Sequence, residues 1–386
     1  MRDGSIDGGW DAVVIGAGVA GGATAVGLAR EGWRVLLVEK ATFPRGKACG
    51  GCLGGVALGE LRRLGLAGAV ASVSRPVERM RLVCGGADWS WGVPAMAAVR
   101  REALDGVLVE AATSAGVVFR DGCRAEVMDA GDDRRPARVR VGEGAVSAEV
   151  VVMADGLAGS GESGPTAGRW RVARGGRVGV SMRGAGGVAP RGVERWLAGG
   201  AVSMSIARGG YVGAVRMVDG GVHLAGALDP WVVRERGGPG AAVSAVVEAA
   251  AGGAIDGATR DWLAGSSWCG APALTRRRKR VAWGRCLAVG DAAGYVEPFT
   301  GEGMGWALVA AREATSLLVE AHGEAMSARL ARWSSVQRAS RRRGWTAGLV
   351  RRAVRRPALV AAAMRVGALA RPTVGAVVAR LHPVPA

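Results

Sequence analysis

The chain has 386 residues, 49% of them apolar and 22% charged, which is enough for real cores and for more than one structural unit. A formal charge of +18 is almost all arginine, with lysine only at Lys40, Lys47 and Lys279. That charge is spread through a chain rich in Ala, Gly and Val with no aromatic-rich RNA-binding strand or Cys/His finger, which argues against a nucleic-acid partner, and the six cysteines are too few for a disulfide framework.

Asp11–Ile15 reads as a short buried strand, followed by Gly16, Gly18 and Gly21 at Gly-x-Gly-x-x-Gly spacing and a helix over Val19–Arg30. The first glycine permits a tight turn, the second lets a pyrophosphate touch backbone, and the third lets helix and strand pack closely. The helix start aims unpaired N–H groups and the positive end of its dipole at the phosphates. A second strand, Arg34–Val38, ends in Glu39 and Lys40, with the carboxylate placed to bond ribose hydroxyls. A glycine-rich loop, Phe43–Gly55, leads into a helix from Val56 to Leu64. Arg79–Val83 and Ala87–Trp91 form a hairpin about Gly85–Gly86, and Glu102–Ala115 is an amphipathic helix. Strand Val117–Arg120 precedes a meander of Ala125–Met128, Arg138–Val141 and Ala145–Ala154.

From Arg177 the period changes to two. Arg177–Arg183, Glu194–Ala198, Ala201–Ala207, Tyr211–Val218 and Val222–Leu228 read as strands of an antiparallel sheet, followed by a helix over Gly240–Ala251. A last strand, LAVGDA, ends in Asp291 and runs toward a helix whose start, GEGMG, is stripped of side chains at Gly303 and Gly305. Two glycine-lined units so far apart on one chain point to a single FAD. Beyond Glu320 the chain is helical and arginine-rich, interrupted by Pro357 and Pro372, with clusters at Arg276–Arg280, Arg341–Arg343 and Arg351–Arg356. No apolar run reaches the roughly 18 residues of a spanning helix, and no secretory segment precedes Trp10. The expectation is a cytoplasmic protein; the arginine clusters read as solvated faces or, functionally, as contacts to an anionic membrane surface or a phosphorylated substrate, so peripheral attachment is left open.

Taken in order, GAGVAG, PRGKACGG, RREALD at Arg100–Asp105, ADG at Ala154–Gly156 and GDAAGYVEPFTGEGMG resemble the FAD-dependent oxidoreductases of the p-hydroxybenzoate hydroxylase fold. Within them the chain is most similar to the geranylgeranyl reductase family. The resemblance implies an α/β fold. Residues 8–71, 99–166 and 273–322 would form a Rossmann-like FAD domain, residues 72–98 and 167–272 an antiparallel β substrate domain, and residues 323–386 a C-terminal helical segment. It assigns the pyrophosphate to Gly16, Gly18 and Gly21 and the ribose to Glu39. Arg101 would reach the phosphate and ribityl region, Asp291 the same side, and Asp155 with Gly156 would support the flavin from the sheet. Gly303, Met304 and Gly305 would lie against the ring, and Pro298 would border ring and substrate. From the residues alone, Asp291 reads equally as a helix cap, Arg101 as a surface ion pair and Asp155 as a turn residue.

Cys49 matches the P-R-x-K-x-C-G pattern that puts a cysteine beside the flavin, as a proton relay or as pocket wall. Cys49 and Cys52 also have dithiol spacing, without a thioredoxin-like strand or a second pair for zinc, so no metal is expected. Trp89 and Trp91, in WSWGVP, imitate a halogenase signature at the wrong place in the chain and read as core or pocket wall. The prenyl-gripping strand Y-x-W-x-F-P becomes Tyr211–Arg216 here, keeping the tyrosine and losing the bulk. Smaller side chains suggest a differently shaped, wider cavity. The function implied is FAD-dependent reduction of C=C bonds in a hydrophobic, isoprenoid or lipid-like substrate. The alternative is a flavin monooxygenase acting on an aromatic or polyketide-like compound. With no second Gly-x-Gly-x-x-Gly unit, NAD(P)H or another reductant would bind transiently.

Overall fold

The structure, a computed structural model, describes residues 8–157, 159, 170–184, 188–197, 200–297, 299, 301–320, 325–343, 350 and 352–367. Pro298, Arg351, Pro372 and the side chains of Arg341–Arg343 lie outside the described residues.

The first unit folds as its apolar pattern requires. Strand Gly9–Ile15 is buried over Ala12–Ile15, helix Val19–Arg30 follows, and strand Val35–Val38 returns parallel beside the first. Strands Val118–Arg120 and Gly144–Met153 add on opposite sides, and Cys286–Ala288 continues the parallel set beyond the latter. Strands Ala125–Asp129 and Ala137–Val141 turn back antiparallel onto Gly144–Met153, and Ala282–Trp283 closes the far edge. Helices Val19–Arg30, Arg101–Ser114 and Gly303–Val319 pack with this sheet and with one another in one continuous core. That is why its strands read as unbroken apolar runs.

A second sheet has seven strands in the order Ser267–Ala271, Val178–Gly184, Val222–Leu228, Gly210–Arg216, Ala201–Ala207, Arg79–Cys84 and Ala87–Gly92. Its pairings are antiparallel except one, since Arg79–Cys84 runs parallel to Ala201–Ala207. Helix Pro239–Ala251 backs one face. Of the stretch Glu194–Ala198, expected as a strand, Glu194–Trp196 lie instead in helix Arg191–Trp196 and Leu197 in the turn after it, while Ala198 lies outside the described residues. Val193 and Leu197, four residues apart, both sink into the core under this sheet, so helical spacing wins over the apparent alternation. Helices Pro230–Glu235 and Gly257–Gly265, not foreseen, pack on the same core. Pro357 starts helix Pro357–Gly367 instead of interrupting one, a role its fixed φ suits. That helix lies on the hairpin, where Trp89 and Trp91 meet the cluster holding Val354, Ala361 and Met364.

Two small sheets join the large ones. Met96–Val99 pairs with Cys52–Gly54 and Ser74–Pro76, while Arg276–Arg278 pairs with Trp170–Val172 and Gly294–Tyr295. Among the described residues no helix is long and apolar enough to cross a membrane.

Candidate functional site

The parallel strands Gly9–Ile15, Val35–Val38, Gly144–Met153 and Cys286–Ala288 end at one crevice, the place where open α/β sheets bind ligands. It encloses about 400 Å³ and is lined by Gly16, Gly18, Glu39, Lys40, Cys49, Arg101, Asp155, Asp291, Gly303 and Met304, all expected from sequence. Gly305 is set back, its Cα facing Val56 and Ala57 at 3.3–3.4 Å from where a Cβ would stand. Asp291 sits in a 3-10 turn, Gly290–Ala293, and caps no α-helix.

The three glycines do different work. Gly16 has φ +104°, and a Cβ there would stand 2.5 Å from the Ala154 carbonyl oxygen. At Gly21 a Cβ would fall 1.8 Å from the Gly16 oxygen. Both are demanded by the fold. Gly18 is not: a Cβ there would meet only the Arg45 and Arg101 guanidinium tips, at 3.6 Å, on the crevice side. Gly18 also starts helix Val19–Arg30 with no side-chain cap, leaving N–H groups directed at the crevice. A cradle that the protein itself does not need fits a pyrophosphate.

Around it the charges are tied together. Glu39 is buried; its Oε2 accepts from the Ala17 N–H (3.1 Å) and Arg45 (3.2 Å), and its Oε1 from the Ala41 N–H (3.1 Å). Arg101 donates to both oxygens of fully buried Asp105 at 3.0 Å, and Arg45 adds a third bond to Asp105 at 2.9 Å. Arg101 is therefore a buried residue of the crevice floor, not a surface ion pair. Burial opposes its charge, but Asp105 and the adjacent Cys49 outweigh that and hold it protonated. Lys47 is about a third exposed, and its closest carboxylate is Asp291 at 4.0 Å. Enclosure in the crevice, then the neighbouring Arg101, hold its amine below the usual lysine value. An incoming anion would relieve both. Arg45, Lys47 and Asp105 were visible in the motifs, but only the fold shows that they converge.

A second, apolar cavity of about 130 Å³ opens off the first, between the crevice and the seven-stranded sheet. Met80, Met96, Met204, Tyr211, Val215 and Phe299 line it, and Cys49, Cys52 and Tyr295 line both spaces. The space left at Gly213 is taken up on the next strand, since a Cβ there would lie 2.9 Å from the Met204 sulfur. Methionine from the neighbouring strand fills what the sequence vacates. Arg216 points away from the cavity and pairs with Glu194. Burial pushes the hydroxyls of Tyr211 and Tyr295 well above the usual phenol range, reinforced by Glu297 and Asp291 respectively, so both remain protonated donors. Behind Tyr211, Arg177 bonds Glu297 (3.2 Å) and Asp229 (3.3 Å), and Arg355 bonds Glu297 (3.4 Å). Trp89 and Trp91 line neither space.

The loop between the spaces is pinned from the sheet side. His223 Nε2 donates to the Cys49 carbonyl at 2.8 Å, and burial, aided by Arg100, lowers its pKa. The Gly51 N–H reaches the Cys49 sulfur at 3.4 Å, and the Met304 sulfur lies 4.0 Å from it. Cys49 and Cys52 are both free thiols. Burial, then nearby Cys49, pushes the Cys52 thiol up to about 12. Among the described residues no His, Cys, Asp and Glu cluster fits a metal.

Residues 10–180 match the family profile described as FAD binding domain. The match covers under half of the chain. The menaquinone reductase of Mycobacterium tuberculosis is 34% identical over 158 residues, 39% of each chain. That of Mycolicibacterium smegmatis is 29% identical over 341 residues, 80% of this chain and 76% of the relative. The matched stretch thus spans well under half of the first relative's length. Among solved structures, the flavin-dependent brominase Bmp2 superposes with a TM-score of 0.76 at 17% identity, over 95% of this chain and 92% of its own. At that identity the likeness is one of fold. Together these give the chain the fold of the p-hydroxybenzoate hydroxylase-type flavoproteins, with an FAD-binding-domain match over residues 10–180.

Proposed function

We propose that this flavoprotein reduces a C=C bond of an isoprenoid, quinone-linked or similarly lipid-like substrate, as a geranylgeranyl-reductase-type enzyme. The observation that carries this reading is the apolar, methionine-lined cavity that meets the crevice at Cys49, Cys52 and Tyr295. The two mycobacterial relatives named for menaquinone, a quinone with a polyprenyl tail, support the substrate class.

FAD, when bound, supplies the two-electron reduction; the chain's residues supply the rest. In this reading the backbone at Gly16, Gly18 and Gly21 and the uncapped start of helix Val19–Arg30 hold the pyrophosphate, and Glu39, with Lys40 at the rim, faces the ribose. Arg101, Lys47, Asp155 and Asp291 orient the middle of the cofactor, and the N–H groups of Gly303 and Met304 face its ring. Met80, Met96 and Met204 exclude water from the apolar end. The Cys49 thiol, open to both spaces, delivers the proton that completes saturation of the double bond. NAD(P)H or another diffusing carrier brings the electrons.

The test is a turnover assay of the FAD-loaded protein under reducing, oxygen-free conditions with a short-chain menaquinone. A product still heavier by two hydrogens after its quinol has been reoxidised to the quinone is expected, and Cys49→Ala is expected to slow its formation 10²–10⁴-fold, the range for a removed general acid. A product heavier by one oxygen in air, with none formed without oxygen, would replace this reading with a monooxygenase.

A further inference from the structure

The small sheet of Trp170–Val172, Arg276–Arg278 and Gly294–Tyr295 and the C-terminal segment bring together cations that lie far apart in sequence. Strand Arg276–Arg278 runs antiparallel to Trp170–Val172, placing Arg171 directly opposite Arg277, while on the other side Arg277 faces Gly294. The alternating neighbours Arg276 and Arg278 turn inward and stack on Trp170 at 5.3 and 5.7 Å. Arg171, Arg277 and Lys279 are exposed. Arg355, anchored on Glu297 and on the Gly175 carbonyl (2.9 Å), fixes the last described segment beside this small sheet. It carries Arg352 and Arg356, both exposed, next to exposed Arg174 in the Gly175 turn.

Among the described residues none of these six cations is in an ion pair, whereas Arg45, Arg101, Arg177, Arg285 and Arg355 each have a carboxylate. Like charges directly opposite on paired strands cost stability, and among the described residues no carboxylate pairs with Arg171 or Arg277. Apolar groups stand among them in water: Val172 is 51% exposed, Val296 39%, and Leu359, one turn past Arg356, 60%. The patch is also the outer side of the cavity wall. Gly294–Tyr295 pairs with Arg277 and Arg276 at the surface, and Tyr295 lines the apolar cavity within.

We propose that this face, centred on Arg171, Arg277, Arg352 and Arg356 with Val172 and Leu359 among them, docks on an anionic lipid bilayer. Charge complementarity selects the partner: unpaired guanidinium groups meet lipid phosphates, and the exposed aliphatic groups enter the interface. The face goes beyond the proposed reaction and stands without it, though it would give a lipid substrate a short path to the cavity.

The test is co-sedimentation of the FAD-loaded protein with vesicles of phosphatidylglycerol and phosphatidylcholine against phosphatidylcholine alone. Binding only to the anionic vesicles, weakening as salt rises, is expected. Arg171→Gln/Arg277→Gln/Arg352→Gln/Arg356→Gln should bind at least about tenfold more weakly, given the contribution of each basic side chain near a charged surface. A control losing equal charge from exposed positions elsewhere, Arg62→Gln/Arg138→Gln/Arg234→Gln/Arg236→Gln, should stay within about threefold of the parent. Leu359→Asp alone should weaken binding several-fold and serves as the second variant if the quadruple one fails to fold, which its flavin content reports. Equal losses in the two quadruple variants, no retention by anionic vesicles, or saturable binding of inorganic pyrophosphate to this face in place of vesicles would each overturn the proposal.

Discussion

The crevice and the apolar cavity share a wall but are built by opposite means. The crevice is made of loops at strand ends, where short sequence runs place glycine backbone and bonded charges: Glu39 with Arg45, Asp105 with Arg101. The cavity is made largely of sheet faces, where Val202 and Met204 on one strand and Tyr211, Gly213 and Val215 on the next contribute alternate positions. The first tolerates almost no change within a motif and is set by a few atoms. The second is set by volume, and a residue on one strand can replace what another lacks, as Met204 does for Gly213.

The largest expected effect probes that contrast within three residues of one turn. Gly21→Ala places a methyl 1.8 Å from backbone, so loss of the folded state is expected, by 4 kcal/mol or more on the usual scale of such changes (~4–5). Gly18→Ala should leave the melting temperature of the cofactor-free protein within about 2 °C while weakening FAD binding at least tenfold. Differential scanning fluorimetry and flavin fluorescence titration check the pair. If Gly18→Ala melts as Gly21→Ala does, Gly18 serves the fold and not the ligand.

Arg101→Ala ranks next. It strips the Arg101 bonds to both oxygens of a fully buried carboxylate, Asp105, leaving the bond from Arg45, and should cost about 3 kcal/mol in urea unfolding, as broken buried pairs do. On the cavity side, Met204→Ala should cost about 2–4 kcal/mol, the range for emptying a core site, yet leave FAD affinity unchanged. An altered flavin affinity there would mean the two regions are one site.

A pH series separates them further. Cys52 keeps its proton to about 12 when folded, whereas an unfolded cysteine loses it near 8.5. The folded state therefore holds the extra proton between those values, and stability present below pH 8.5 should fall as pH rises, by up to about 1.4 kcal/mol per unit for this group. Cys52→Ser should flatten that slope in urea midpoints at pH 8 and 10.5. On the acid side, the depressed pKa of His223 means the unfolded chain takes the proton first, so stability should decline as pH drops below about 6.5. His223→Gln should blunt that decline. The smallest effect belongs to Arg216→Ala, which removes a half-exposed pair with Glu194 facing away from the cavity. Less than about 1 kcal/mol and no change in turnover are expected.

This contrast also explains what could be read in advance. Helix Val19–Arg30 and the residues lining the crevice were legible because a phosphate cradle is a local device: Gly16, Gly18 and Gly21 lie in one turn and Glu39 at the end of the next strand. The convergence of Arg45 and Arg101 on Asp105 was half legible, since the residues stand in motifs but their meeting spans some sixty positions of chain. The cavity was not legible. Its dimensions depend on Met204 lying across from Gly213, and on the parallel insertion of Arg79–Cys84 beside Ala201–Ala207, neither of which leaves a periodic trace. Helix Arg191–Trp196 was misread because six residues offer too few turns for a helical period to show against alternation.

The Cys49 loop belongs to both compartments, held by His223 from one side and Met304 and Arg101 from the other. Anything that fills one compartment and tightens this partition must change the free energy of filling the other, and linkage makes that change reciprocal. On the proposed function, cofactor and substrate affinities are therefore not independent constants. Each should be measured with the other ligand at a fixed occupancy, and the ratio between the two conditions reads out how stiff the partition is.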